Sequence, residues 1–180
     1  MQMLGWFKPK MAPEGPVTLE YEIEIDVPAS ELYPLIDFAD PRNSKRQSGE
    51  TVREVPGRDG AFELVLATYP DLTDLTFDIQ VTESVPNEVY AFDGKLPEGP
   101  GALIATHERY EIEAVSEHAC LLRLIVDAKF RFPMKLKVYK QEVAKMMMAV
   151  HNACAKLKLH AEQGTDAVHA VHDHVLVNVD

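Results

Sequence analysis

The most chemically suggestive run in the sequence is Thr106-His107-Glu108-Arg109-Tyr110. It lies inside an alternating apolar/polar stretch, so its side chains divide by parity. If Tyr110 and Ile112 face the core, Thr106 and Glu108 face it too. Glu108 is then a carboxyl approaching an apolar interior. Burial raises a carboxyl pKa, and that can make it a general acid or base. Two plainer outcomes compete: Glu108 sits in water near a strand end, or it pairs with a neighbouring arginine. A bulge would turn His107 and Arg109 inward instead. His151 is a second candidate. It lies beside the centre of a helical stripe, one turn from Met147 and Cys154, where it can hydrogen-bond a molecule at a pocket rim. Cys154 near a histidine has the composition of a nucleophile–base pair, but nothing supplies an oxyanion hole. His169-x-x-His172-x-His174 has metal-like composition without a fixed scaffold or a fourth ligand, so no metal site is expected. The sequence contains no glycine-rich phosphate loop, Cys-x-x-Cys pair, HExxH or GxSxG. Glu108, Tyr110 and His151 are therefore the catalytic candidates, all weak, and no cofactor is expected.

These residues need elements to position them. Pro133 to Gln163 reads as one long amphipathic helix of about 45 Å. Pro133 suits a first helical position and Gly164 a stop. Leu136, Tyr139, Val143, Met146, Met147, Val150, Cys154, Leu157 and Ala161 recur at three- and four-residue spacing and share one face. Val17 to Val27 alternates without a break, with Val17, Leu19, Tyr21, Ile23, Ile25 and Val27 on one side and acids opposite. That pattern marks an antiparallel sheet with one wet face. Ser30 is a plausible N-cap for a short helix over residues 31–38. The run from Asp40-Pro41 to Gly49 makes a turn or a second short helix. Five further strands are expected near residues 50–55, 61–69, 75–82, 88–95 and 102–115, and a last one over 118–132. Their connections are too short for crossover helices, so they pair as a meander.

Composition limits the function classes. A chain of 180 residues with 46% hydrophobic content fits one domain with tails. A net charge of −11 argues against general nucleic-acid binding. The charge is uneven, with seven Lys/Arg and one acid, Glu142, between Arg131 and Lys158. Cys120 and Cys154 are too few for a disulfide framework and read as buried thiols. No run of 18 apolar residues spans a membrane, and the N-terminus makes a poor signal peptide. A cytoplasmic location is expected. Residues 1–16, with Leu4, Trp6 and Phe7, read as an arm; 17–163 as the domain; 164–180 as a tail.

The element order resembles the START/Bet v 1-like superfamily, also called SRPBCC or polyketide cyclase/dehydrase-like. The resemblance covers about residues 17–163. It rests on that order, on the opening VTLEYEIEIDVPASELYPLI and on the closing PMKLKVYKQEVAKMMMAVHNACAKLKLHAEQ. It implies an α+β helix-grip fold: a curved seven-stranded antiparallel sheet wrapped around a long C-terminal helix, with two short helices after the first strand. It also implies an apolar cavity between sheet and helix, holding a small hydrophobic molecule such as a lipid, polyketide or quinone. Parity proposes Phe77, Ile79, Tyr90, Phe92, Thr106, Glu108, Tyr110, Leu122, Leu124, Val143, Met147 and Val150 as its lining. Fold does not transfer function among such proteins. Simple binding, a cyclase/dehydrase-type enzyme using Glu108, and a protein-interaction module all remain open, as does the oligomeric state.

Overall fold

The computed structural model describes residues 9–66, 76–97 and 101–170. In chain order the elements are β1 (Val17–Ile25), α1 (Ala29–Ile36), α2 (Ser44–Gln47), β2 (Thr51–Glu54), β3 (Ala61–Val65), β4 (Thr76–Val85), β5 (Val89–Lys95), β6 (Leu103–Ala114), β7 (Cys120–Phe130) and α3 (Leu136–Gln163). The strands form one antiparallel sheet in the order β1-β7-β6-β5-β4-β3-β2. Strands β2 to β7 are the expected meander. β1 closes the order at the far edge beside β7, with Leu19 opposite Val126 and Tyr21 opposite Leu124.

Alternation fixes the faces. Leu19 and Ile25 of β1 are buried while Glu20, Glu22 and Glu24 are exposed. On β7, Cys120, Leu122, Leu124, Val126, Ala128 and Phe130 all point to the same buried side. That side carries α3, which lies over β1 and β7 and touches α1. Bulges at Val81/Glu83 in β4 and Leu103/Ala105 in β6 add local bends to the sheet. The β6 bulge precedes Thr106, so the strand beyond it keeps one parity.

Several boundaries differ from the sequence reading. Pro133 follows a cis peptide bond and lies outside α3, whose cap residue is Lys135. The extended backbone of Lys135 pairs with the arm, through an antiparallel bridge between Met11 and Lys135. α1 begins at Ala29 rather than Glu31, so Ser30 lies within it. Its cap position is Pro28, with no side-chain cap hydrogen bond. β1 stops at Ile25, and β7 is shorter than expected at both ends. Gly164 ends α3 as anticipated, with φ of 83° and its N–H donating to the His160 carbonyl at 2.9 Å. Leu4, Trp6, Phe7, Tyr69, His172 and His174 lie outside the described residues.

Candidate functional site

Glu108 lies on β6, between β5 and β7, on the face that meets α3. Phe92 and Val126 flank it across the sheet, and Leu19 continues the row. Its oxygens are held from its own strand. The Thr106 hydroxyl donates to one at 3.3 Å and the Tyr110 hydroxyl to the other at 3.2 Å. Spacing two residues apart on one strand puts all three side chains on one face. Burial raises the Glu108 pKa above the ordinary carboxyl value; the charge of Lys45 and the two hydrogen bonds act against that rise. The result is a carboxyl biased toward its neutral acid form, which can both donate and accept a hydrogen bond.

Its surroundings are tuned in the same direction. Burial, then the nearby Glu108, pushes the Tyr110 hydroxyl well up. The Cys154 thiol is pushed up to about 12 by burial and by Glu108. Burial therefore disfavours the Cys154 thiolate, and Cys154 is buried while His151 is exposed. His151 is exposed and sets its ring edge-on to Tyr21 with centroids 4.9 Å apart. His107 and Arg109 face the other side of the sheet, where His107 meets Asp93 at 2.8 Å and Arg109 pairs with Glu83 and Glu111.

The remaining expected lining residues converge on the same layer. Ile79, Tyr90, Phe92, Tyr110, Leu122, Leu124 and Val150 belong to one buried cluster, with Phe77 and Val143 packed against it. Thr106 is buried opposite Gly94. Met147 departs from expectation: it is 41% exposed, at the margin of the helix stripe. Of the described C-terminal tail, residues 165–170 are helical with Val168 buried. Among the described residues no group of three or more acids, histidines or cysteines has metal-site geometry.

Parity alone did not reveal a polar wall contributed by α2 and α3. Glu50 is nearly buried, with Lys45 Nζ at 3.6 Å and Lys156 Nζ at 4.0 Å. Burial lowers the Lys156 pKa, and Glu50 works against that fall. Both lysines line a cavity of about 50 Å³ beside Tyr110, Phe92 and Leu157. That volume holds water, whereas organic ligands need several hundred Å³. A second space of about 980 Å³ is an open groove at the β2–β3 corner, flanked by Asp37, Glu54, Asp59 and Glu83 and reaching Tyr90. Gly94 was another missed position. A Cβ there would stand 2.9 Å from the Thr106 hydroxyl. A glycine inside a strand is the sequence signal for such a close approach.

No protein-family model and no curated protein matches the chain. Solved structures do match in fold. A START superfamily protein from Mycobacterium smegmatis is 16% identical with a TM-score of 0.57, covering 83% of this chain and 99% of that one. Ara h 8.0201 is 14% identical with a TM-score of 0.57, covering 91% and 100%. A truncated norcoclaurine synthase from Thalictrum flavum is 9% identical with a TM-score of 0.55, covering 84% and 98%. The chain has the START/Bet v 1-like helix-grip fold. No helix among the described residues is long and apolar enough to cross a membrane.

Proposed function

We propose that this protein binds one small, mostly apolar molecule between the sheet and α3, and orients it through Glu108 and Tyr110. The observation that carries this reading is a carboxyl on the inner face of an apolar sheet, held by Thr106 and Tyr110. Among the described residues it has no ion-pair partner. Glu108 is half-buried, burial raises its pKa, and groups shifted in this way cluster at functional sites. A carbonyl or hydroxyl on an apolar body is the group it would meet, as in a lipid, polyketide or quinone. Among the described residues the cavity beside Tyr110 and Phe92 is water-sized, so a larger molecule would need the first half of α3 to part from the sheet. That half is the less buried one. The binding unit is residues 17–163, and two free buried thiols suit a reducing cytoplasm.

Native mass spectrometry of the freshly purified full chain, followed by denaturing extraction, is the test. The expected result is a discrete apolar adduct, with affinity for the extracted compound lowered about tenfold by Glu108→Gln, the scale of one hydrogen bond to a buried charged or polar group. Unchanged affinity in both Glu108→Gln and Val143→Trp would exclude this interior as the binding place.

One observation favours a second reading. An acid biased toward its protonated form, beside a tyrosine hydroxyl, can move a proton on a bound substrate as a cyclase/dehydrase-type enzyme would. Norcoclaurine synthase, which shares the fold, supports that only as an analogy of scaffold. Turnover of the extracted compound by the wild type, lost in Glu108→Gln and unaffected by His151→Ala, is its expected signature.

A further inference from the structure

We infer that the first half of α3, together with the arm beside it, is a docking surface for an anionic lipid bilayer. The inference goes beyond the ligand reading and does not depend on it.

The surface is built, not loose. The Ala12 N–H donates to the Met134 carbonyl at 2.9 Å and the Leu136 N–H to the Lys10 carbonyl at 2.8 Å. This ladder fixes a groove of about 420 Å³ whose rim carries Lys10, Lys135, Lys137 and Lys140. All four are exposed, and none makes an ion pair among the described residues. Between Lys129 and Lys145 there are six cations and one acid, in a chain whose net charge is −11. That acid, Glu142, is paired with Lys145 at 2.8 Å.

Apolar groups accompany the cations. Lys137, Lys140, Ala144, Met147 and Met148 lie along one side of the helix by its 3.6-residue period, over about 16 Å. Met148 is 66% exposed and Met147 41%, and at the near end Phe132 and Met11 are 50% and 47% exposed. An acidic protein segment would satisfy the lysines. A bilayer satisfies both sets at once, because headgroups take the ammonium groups while flexible thioethers enter the acyl boundary. Each lysine near an anionic leaflet contributes about 1 kcal/mol. The same half of α3 covers the interior least completely, so docking would turn that seam toward the lipid.

Co-sedimentation of the full chain with large vesicles is the test, using phosphatidylcholine alone or mixed with phosphatidylglycerol. The variants are Lys135→Glu/Lys137→Glu/Lys140→Glu and Met147→Ser/Met148→Ser, all at exposed or largely exposed positions. Binding is expected to the mixed vesicles only, to fall at least tenfold in the lysine variant and severalfold in the methionine variant, and to weaken at ~0.5 M salt. Absence of wild-type binding to mixed vesicles at low salt would overturn the inference, as would wild-type binding by the lysine variant. Equal binding by the methionine variant would overturn the entry of the thioethers into the acyl boundary. A lysine-dependent dimer in vesicle-free sedimentation velocity assigns the surface to a second copy and overturns the bilayer.

Discussion

The two halves of α3 carry one continuous apolar stripe and end in different states. Leu136, Tyr139, Val143 and Met146 run at helical spacing into Val150, Cys154, Leu157 and Ala161. In the second half Val150, Cys154 and Leu157 are at most 7% exposed, while in the first half no residue of the stripe is fully buried. The difference lies in polar anchors. The second half is tied to α2 by His160, which meets the Ser44 hydroxyl at 3.0 Å. It is tied to the end of β1 by Lys158, which donates to the Glu24 carbonyl at 2.8 Å, and by Glu162, which accepts the Asp26 N–H at 2.8 Å. The first half has the sheet below it and the arm only at its start. Apolar period therefore marks which face turns inward, while anchors at the ends of neighbouring elements decide how far that face closes.

The largest test of the comparison is truncation on each side of it. Leu157→Ala should cost about 2–5 kcal/mol, the range for a buried leucine in a site that cannot collapse. Val143→Ala, in the half-buried stretch, should cost less than about 1.5 kcal/mol because water already reaches it. Urea denaturation of both measures the contrast, and equal costs would mean that the halves are closed alike in solution.

A second prediction sharpens what lies beneath the helix. Gly94→Ala places a Cβ 2.9 Å from the Thr106 hydroxyl, which must rotate or shift. Overpacking of this kind costs about 1–3 kcal/mol. If Thr106 moves, Glu108 loses one of its two donors. Gly94→Ala should then lower ligand affinity as well as thermal stability, whereas Ser44→Ala should lower stability alone, by about 1 kcal/mol, through the lost His160 hydrogen bond.

These tests separate what was legible in the sequence from what was not. Strand alternation from Val17 and from Cys120 identified the inner face correctly, and parity along β6 put Thr106, Glu108 and Tyr110 on it. Those are local periodicities, and they survive folding because one face must be dry. The Lys45–Glu50–Lys156 wall was not legible. Its members come from α2, the turn after it and the second half of α3, and only tertiary placement joins them. Met147 was misread for a related reason. It sits at the edge of the stripe, where a small rotation of the helix decides between wall and rim, and periodicity does not fix that rotation. The start of α3 failed differently: Pro133 fits a first helical turn, but Lys135 stays extended so that its backbone can bridge Met11.

The smallest expected effect is a pair of opposed pH dependences. Burial, with His169 and Lys156 nearby, lowers the His160 pKa from its ordinary 6.5. The unfolded chain takes up that proton first as pH falls, so His160 contributes stability above 6.5 that is lost on acidification toward the folded value. Glu108 has the reverse sign. Its pKa is raised from 4.5, mainly by burial. As pH rises through the window that opens at 4.5, the unfolded chain has released a proton that the fold still holds. Stability falls across that window and levels off above the raised folded value. Urea midpoints between about pH 4.5 and about pH 8 read both effects. His160→Gln should flatten the acid side, in the anchored half of α3. Glu108→Gln should flatten the fall that begins at 4.5, beneath the helix. If Glu108→Gln leaves that slope as it was, water reaches the carboxyl freely in solution, and the closed interior between sheet and helix opens far more often than the packing of Tyr110 and Cys154 implies.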